Sequence, residues 1–294
     1  STQSIKTSIE RFEEVLKPIE SNKFLIKVRE IDQIKNDIDF AIISTSSLVR
    51  ASVTEKLLSN VVVKNIIFEK FLFQNRFEYS KINHLLKKKN VRAWVNQWVS
   101  SSIAFIEMAK WFGDDLKEIN VEGKNWGLAC NSVHYIEYLD VITGNQKLTV
   151  KSNNIDSKII ESKRPGYFEL TGSFIIKSDS GVSLQLSCVN EKNLGNNSQM
   201  NFIMKGKGRY LEASLIDDLL KCNYYDDLSV KSYKEYIIPM QSTLTGAIIE
   251  DIYENNNCTL PSYDQSVKHH LVLFDCFEDI FKKQLKLNGS LPIT

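Results

Sequence analysis

Short apolar runs alternate with amphipathic stretches in the first third of the chain. Residues 39–44 (DFAIIS) and 61–68 (VVVKNIIF) are nearly unbroken apolar runs, which is typical of strands covered on both faces of a sheet. Apolar residues at helical spacing follow them over residues 48–58 and 76–88. Strand-helix-strand units of this length predict a parallel, doubly wound sheet. The same alternation predicts three further elements, a helix over residues 8–17 and strands over 24–28 and 91–95.

The pattern changes near residue 116 to longer strands in which polar and apolar positions alternate. Alternation with a period of two predicts a sheet with one covered face, either antiparallel or mixed. The predicted strands lie over residues 119–122, 147–152, 158–162, 167–177, 182–189, 199–205 and 209–213. One helix over 131–142 interrupts these strands, and helices over 242–254 and 263–285 follow them.

The two patterns predict two domains. We expect residues 1–97 to form an α/β domain of the nucleotide-binding type, built on a parallel sheet. We expect residues 98–294 to form an α+β domain with a large, open, mostly antiparallel sheet. A chain of 294 residues suits two domains of ordinary size that share a cleft.

Composition narrows the class of protein. The chain is 43% hydrophobic and 25% charged, as soluble globular proteins are, and no stretch approaches the ~18 unbroken apolar residues of a membrane span. Because 37 basic residues face 36 acidic ones, no overall field attracts nucleic acid. Five scattered cysteines without a Cys-x-x-Cys pair argue against a disulfide framework and a zinc site. With no apolar export signal at its start, we expect a cytoplasmic protein with no metal, no membrane span and no nucleic-acid partner.

Four hydroxyl side chains stand at the end of the DFAIIS strand: Ser44, Thr45, Ser46 and Ser47. Ligands of open parallel sheets bind beyond the carboxyl ends of the strands, where the free N–H groups of helix N-termini point. These hydroxyls and amides could hold the ribose or phosphate of a dinucleotide. The alternative is a serine-rich N-cap for the helix over residues 48–58. The residues by themselves leave both interpretations open.

The pair Glu69 and Lys70 directly follows the buried NIIF strand. An ammonium at the mouth of a cleft can donate a hydrogen bond to a substrate hydroxyl and stabilise developing alkoxide charge. An ordinary pair of charges at the end of a strand is the other interpretation.

The segment WGLACNSVHYIEYLDVITG, residues 126–144, carries a histidine on a predicted helix. Helical spacing puts His134, Glu137 and Val141 on one face, with Val133 and Asp140 turned elsewhere. The histidine could exchange a proton with a substrate hydroxyl while a hydride leaves the same carbon, and the glutamate could set its tautomer. A structural histidine within a helix is the alternative.

Taken in order, these stretches resemble the glucose-fructose oxidoreductase/inositol dehydrogenase/rhizopine-catabolism (Gfo/Idh/MocA) family. That family has a strand ending in Thr-Pro followed by a His, a strand ending in Glu-Lys-Pro, a strand ending near Asn, and a helix with a His three residues before an Asp. The corresponding stretches here are DFAIISTSSLVR, NIIFEKFLF, VRAWVN and CNSVHYIEYLDVITG. The resemblance extends from about residue 8 to the LPSYDQSVKHH segment.

The resemblance implies a Rossmann domain that binds NAD or NADP, followed by a substrate domain whose sheet supports a homodimer or homotetramer. Hydride would pass between the nicotinamide and a hydroxyl carbon of a sugar, sugar nucleotide or cyclitol. The implied cofactor-binding residues are Ser44, Thr45, Ser46, Glu69, Lys70 and Asn96. The implied substrate-binding residues are Lys70, Glu137 and His134, with Lys70 and His134 catalytic and His134 as the acid/base.

Five positions depart from the family pattern. Ser46 and Phe71 stand where prolines are usual, and Arg50 stands where a histidine is usual. Cys130 and Glu137 replace aspartates on the two sides of the helical histidine. The altered partners of that histidine favour an alternative function, that of a catalytically degenerate family member serving as a binding or assembly protein.

The sequence contains no Gly-x-Gly-x-x-Gly after a strand, and no acidic residue about 20 positions after such a motif. In the family this loop holds the cofactor pyrophosphate. Either the front of the Rossmann domain is missing from the given sequence, or the protein has lost the phosphate-binding unit and cannot hold a dinucleotide. We expect the first, because a parallel sheet without its central strand would leave an apolar gap.

Overall fold

A computed structural model describes residues 30–190, 199–227 and 229–294, with the side chain of Ser242 left out. The predicted helix over residues 8–17 and the predicted strand over 24–28 lie outside the described residues.

The first described unit is a three-stranded parallel sheet. It comprises β1 (Ile38–Ile43), β2 (Val63–Phe68) and β3 (Arg92–Val95), hydrogen-bonded in that order. Helix α1 (Ser47–Asn60) joins β1 to β2, and α2 (Arg76–Lys88) joins β2 to β3. Five of the six residues of β2 are buried, as its unbroken apolar run predicts for a central strand. The predicted parallel α/β arrangement is confirmed.

The second unit is an eight-stranded mixed sheet, preceded by α3 (Ile103–Phe112). Its strands are β4 (Leu116–Lys124), β5 (Leu148–Ile155), β8 (Gly172–Ser178), β9 (Ser183–Val189), β10 (Gln199–Gly206), β11 (Arg209–Ile216), β12 (Leu219–Asp226) and β13 (Ser229–Ile237). They pair in the order β13-β12-β11-β10-β4-β9-β8-β5. The pair β4 and β9 is parallel and every other pair is antiparallel, so the predicted large, mostly antiparallel sheet is confirmed.

A small hairpin stands apart from this sheet. It consists of β6 (Ile160–Glu161) and β7 (Phe168–Glu169), which pair with each other over two residues each. The sequence predicts longer strands over 158–162 and 167–177, and the second of these is interrupted between β7 and β8. The interruption comprises Leu170 and Thr171, and the positive φ of Gly172 (103°) turns the chain where β8 begins.

Three helices tie the two sheets together. Helix α4 (Leu128–Ile142) packs on β8 and β9, and α6 (Tyr263–Leu285) contacts α2 and β3 as well as α4 and β5. Between them in sequence, α5 (Gln241–Asn255) packs on the parallel sheet, where Ile252 is buried against Ile67. The N-terminal turn of α4 is thereby brought to the carboxyl edge of β2.

Candidate active site

A cleft of about 690 Å³ opens at the carboxyl ends of β1 and β2. Its floor includes Ser44 from the end of β1, and Glu69 and Lys70 from the end of β2. The opposite wall comes from residues 125–131, which lead into α4, and from the β6–β7 hairpin with the residues after it. Ligands of parallel α/β sheets bind at this edge, so the cleft is the candidate active site.

The Lys70 side chain is anchored on the first turn of α4. Its Nζ donates to Oδ1 of Asn131 at 2.6 Å and to the carbonyl of Cys130 at 3.1 Å. The amide of Asn131 in turn donates to the carbonyl of Trp126 at 2.6 Å, which fixes the amide orientation. An ammonium has three N–H donors, and these two contacts account for two of them. Lys70 therefore presents a positioned cation to the cleft.

Arg50 joins the ends of β1 and β2 from below the cleft. Its guanidinium donates to the carbonyls of Thr45, Phe71 and Leu72, and the side chain is only 2% exposed. Burial lowers the pKa of Arg50 to about 10, so the group remains cationic at neutral pH. Arg50 thus holds the loop that follows Lys70.

Glu69 and Asn96 lie together beside the cleft. The Asn96 amide donates to Oε1 of Glu69 at 2.6 Å, and the Asn96 backbone N–H donates to the carbonyl of Phe68 at 2.8 Å. The sequence brings the two residues to the same edge because β2 and β3 are parallel neighbours.

The hydroxyl residues after β1 separate into different roles. Ser44 lines the cleft, whereas the Ser47 hydroxyl is buried and donates to the carbonyl of Ile293. Ser46 is the N-cap residue of α1, but its side chain makes no capping hydrogen bond. The buried Oγ1 of Thr45 has no hydrogen-bond partner within the described part of the chain. An unpartnered buried hydroxyl beside an uncapped helix N-terminus fits a polar cofactor at this edge.

His134 lies behind the cleft wall, one turn after Asn131. It is 5% exposed, is not among the residues that line the cleft, and its ring centroid is 6.0 Å from that of Trp98. Its Nδ1 has no hydrogen-bond partner among the described residues. Burial, followed by the nearby Lys70 and His270, lowers the pKa of His134 well below its ordinary value. The imidazole is therefore neutral.

Glu137 turns toward the 3₁₀ helix that precedes α3. Its carboxyl accepts hydrogen bonds from the hydroxyl and the backbone N–H of Ser100. Burial raises the pKa of Glu137 to about 8. The Glu137 carboxyl is thus bonded to Ser100 and Nδ1 of His134 has no partner among the described residues, so the structure does not contain the contact by which the glutamate would set the tautomer of His134.

Asp140, expected to point elsewhere, makes the buried carboxylate–histidine contact of this helix. Its Oδ2 lies 2.8 Å from Nε2 of His269 on α6. Both side chains are buried, so this contact joins α4 to α6 in the core.

Glu169, at the end of β7, is a cleft residue that sequence reasoning missed. Its Oε2 accepts the backbone N–H of Ala129 at 2.9 Å, in the first turn of α4, and its carboxyl contacts the Cys130 thiol. Burial raises the pKa of Glu169 above its ordinary value. No local pattern marks it, because it reaches the site on a two-residue strand far along the chain from Lys70.

No protein-family model matches the chain, and no curated protein matches it in sequence. Solved structures do match it. A dehydrogenase (MviM) from Clostridium difficile superposes with a TM-score of 0.62 at 14% identity, covering 91% of this chain and 86% of that one. The chain has the fold of these oxidoreductases.

Two further matches were solved with ligands. Biliverdin reductase from Synechocystis sp. PCC 6803, in complex with biliverdin and NADP+, gives a TM-score of 0.65 at 10% identity over 84% of this chain and 80% of that one. The 3-ketoreductase KijD10 from Actinomadura kijaniata, in complex with NADP and TDP-benzene, gives 0.56 at 10% identity over 80% and 77%.

Two features are absent from the described residues. None of their helices is both long and apolar enough to cross a membrane. Within the same ranges, three or more His, Cys, Asp or Glu side chains are nowhere grouped so as to hold a metal ion.

Proposed function

We propose that the chain is an NAD(P)-dependent oxidoreductase that transfers a hydride between the nicotinamide and a hydroxyl carbon of a sugar, sugar nucleotide or cyclitol. The observation that carries the proposal is the ammonium of Lys70, held by Asn131 in a cleft at the carboxyl edge of the parallel sheet. The fold shared with a dehydrogenase and with two NADP-bound reductases supports the same conclusion.

The cofactor would lie along the ends of β1, β2 and β3. The N-terminus of α1, which has no side-chain cap, would face the cofactor together with Ser44, Ser46 and the unpartnered hydroxyl of Thr45. Glu69 and Asn96 would lie beside the nicotinamide. The sequence has no glycine-rich pyrophosphate loop, so the assignment concerns the nicotinamide half of the cofactor. When bound, the nicotinamide supplies or accepts the hydride.

Lys70 would bind the oxygen on the reacting carbon of the substrate. An ammonium at that oxygen stabilises the alkoxide charge that develops as the C–H bond breaks or forms. The hydrogen bonds from Nζ to Asn131 and Cys130 hold the cation in place before the substrate arrives. Such preorganisation removes the cost of reorienting the group in the transition state.

The cleft lining favours a hydroxyl-rich substrate. Amide and hydroxyl groups of Asn131, Ser162 and Thr171 line it, together with the aromatic side chains of Trp126 and Phe168. Sites that bind small polar molecules combine apolar walls with a few placed polar groups of this kind.

Binding and turnover by the intact protein test the proposal. Titration of wild type with NADPH or NADH should quench the tryptophan fluorescence of the protein. In a panel of sugars, nucleotide sugars and cyclitols, at least one compound should be turned over, which the change in nicotinamide absorbance measures. Lys70→Ala should lower kcat/KM by about 100-fold, since loss of one oxyanion donor costs that much. Lys163→Ala, at an exposed lysine of the same cleft, is the matched control. Absence of binding for both cofactors would overturn the proposal.

A ligand-binding protein without catalysis is the second candidate. The position of His134 outside the cleft lining and the thiol of Cys130 at a family aspartate position favour it. Turnover separates the candidates, because a binding protein would take up a nucleotide or sugar and leave it unchanged.

A further inference from the structure

We propose that Glu169 is the acid/base of the reaction, exchanging its carboxyl proton with the oxygen on the reacting carbon of the substrate. This inference rests on the proposed function and deepens it, since it assigns the proton transfer to a residue outside the family motifs.

The geometry puts the Glu169 carboxyl in the same cleft as the Lys70 ammonium. Both side chains line the cleft, and both reach the first turn of α4, Lys70 at Asn131 and Glu169 at the backbone N–H of Ala129. A substrate oxygen bound by Lys70 would therefore lie on the side of α4 that Glu169 faces. General acid–base catalysis needs this proximity before any matching of pKa.

Gly127 leaves the space that the carboxyl occupies. A Cβ at this position would lie 3.3 Å from Oε1 of Glu169 and 2.9 Å from the Cys130 sulfur. The φ of Gly127 is 78°, in the left-handed region that glycine adopts without strain. The turn before α4 thus accommodates a carboxyl packed on the helix N-terminus with one oxygen, Oε2, on the Ala129 N–H.

The surroundings of Glu169 shift its pKa in opposite directions. Facing it are the Cys130 thiol and the Ala129 amide from α4, the Lys70 ammonium from the end of β2, and the Cys188 thiol from β9. The ammonium and the hydrogen bonds favour the carboxylate, but burial outweighs them and raises the pKa. A carboxyl shifted toward neutrality can donate and accept a proton under ordinary conditions.

His134 is less suited to this step. Its ring lies behind Asn131 and outside the cleft lining, and its lowered pKa leaves the neutral imidazole a weak base and a weak acid. Glu169 lines the cleft, and burial shifts its pKa upward.

In the reduction of a ketone, the hydride and the proton reach the substrate from different donors. As the carbonyl carbon gains a hydride from the reduced nicotinamide, the C=O π bond breaks and its electron pair moves to the oxygen. That oxygen takes the proton of the Glu169 carboxyl, which becomes a carboxylate and is protonated again from water in the open cleft. The substrate is reduced to an alcohol and the dinucleotide is oxidised; in the reverse direction the Glu169 carboxylate removes the hydroxyl proton.

Glu169→Gln separates acid/base chemistry from helix capping, because the amide oxygen can still accept the Ala129 N–H but the side chain cannot titrate. The matched control is Glu250→Gln, at an exposed glutamate of α5 that does not line the cleft. Glu169→Asp restores an acid on a shorter side chain and serves as a rescue variant. Thermal unfolding identifies any variant that fails to fold.

The first readout needs no ligand. In an infrared pH titration of wild type, the carbonyl stretch of protonated carboxylic acids should contain a component that persists above the ordinary pKa of a glutamic acid, which Glu250→Gln retains and Glu169→Gln reduces. In turnover, Glu169→Gln should lower kcat by about 100-fold, within the range of general acid catalysis. Its KM and its NADPH affinity should stay within about twofold of wild type, and Glu169→Asp should recover part of the rate.

Two results would count against the proposals in distinguishable ways. NADPH binding and turnover by wild type with full kcat in Glu169→Gln, or an unchanged infrared band, would overturn the role of Glu169 alone. Failure of wild type to bind NADPH or NADH would overturn the proposed function, and this inference with it.

Discussion

Lys70 Nζ lies 2.6 Å from Oδ1 of Asn131, so the end of a parallel strand in one sheet is bonded to the first turn of the helix that covers the other. The contact orients the ammonium within the cleft and at the same time sets the distance between the two walls. Charge-assisted hydrogen bonds of this kind are stronger than neutral ones. Changes at Asn131 should therefore alter catalysis more than stability.

Asn131→Ala should lower kcat/KM by about tenfold, equivalent to about 1.4 kcal/mol of transition-state stabilisation. The Lys70 side chain would lose its anchor but keep its charge and its bond to the carbonyl of Cys130. Steady-state kinetics with the best substrate of the panel measures the effect. Asn154→Ala, at an exposed asparagine bonded to Ser152, should leave kcat/KM unchanged; equal losses in both variants would contradict the anchoring role.

Arg50→Met should reduce the free energy of unfolding by about 3 kcal/mol, the cost of leaving buried carbonyls without their charged donor. The guanidinium donates hydrogen bonds to the carbonyls of Phe71 and Leu72, in the loop after Lys70, and to the carbonyl of Thr45, after β1. Urea denaturation measures the loss. Lys56→Met, which breaks an exposed ion pair with Asp32, should cost less than about 1 kcal/mol. A loss below that level for Arg50→Met would show that the loop holds without it.

The pH dependence of stability should report the buried carboxyl of Glu137. Its pKa is raised from the ordinary value of 4.5 to about 8 in the folded protein, so the folded state binds a proton that the unfolded state has already lost. Stability should therefore fall as pH rises from about 4.5 through about 8, by at most about 1.4 kcal/mol per pH unit from this group.

Glu137→Gln should flatten this part of the profile, because the amide keeps a partner for Ser100 and carries no titrating proton. Urea unfolding across the same pH window measures the slope. Glu118→Gln, at a half-exposed glutamate paired with Lys205, should leave the slope as in wild type. An unchanged slope in Glu137→Gln would refute the raised pKa.

Gly127→Ala should be more damaging than Gly144→Ala, although both glycines have nearly the same φ, 78° and 79°. The Gly144 position is open, so alanine there carries only the left-handed strain of about 1–2 kcal/mol. At Gly127 the new methyl group would also press on the Cys130 sulfur and on Glu169. The expected signature is a larger loss of unfolding free energy together with reduced turnover. Equal losses and unchanged turnover for both variants would show that the crowding is relieved at no cost.

Helix boundaries were predictable where capping and periodicity agree. Residues 76–88 and 263–285 are helical as predicted, and each begins with a capping box, Asn75 with Glu78 and Ser262 with Gln265. In such segments the local capping hydrogen bonds and the apolar face favour the same helix boundaries, so tertiary contacts do not shift them.

Other elements were missed for physical reasons. Strand β13 is an edge strand with both faces largely exposed, so its sequence lacks a clear apolar alternation. Helix α3 is apolar on most sides and short, and such a run does not show a helical period. The sheet order, with β9 parallel to β4, depends on long-range pairing that alternation cannot specify.

The candidate site was predictable only in part. Ser44, Glu69 and Lys70 follow directly from the rule that ligands bind at the carboxyl edge of parallel strands, and all three line the cleft. Helical spacing predicts that His134 and Glu137 lie on one face, but it does not predict which residues pack against them. In the structure Trp98 lies near His134, and Ser100 is bonded to Glu137. Glu169 depends on a contact between distant segments, for which the sequence contains no local signal.

Helix α6 contacts elements of both sheets, α2 and β3 on one side and α4 and β5 on the other. A rotation that widened the cleft as a hinge would have to separate apolar side chains along this helix, such as Phe274 and Phe277, from their neighbours. We therefore expect ligand entry and product release to depend on the β6–β7 hairpin, whose strands pair with each other over only two residues each. The rate of product release would thus be set by a few residues of a turn, while the bodies of the two lobes stay in place.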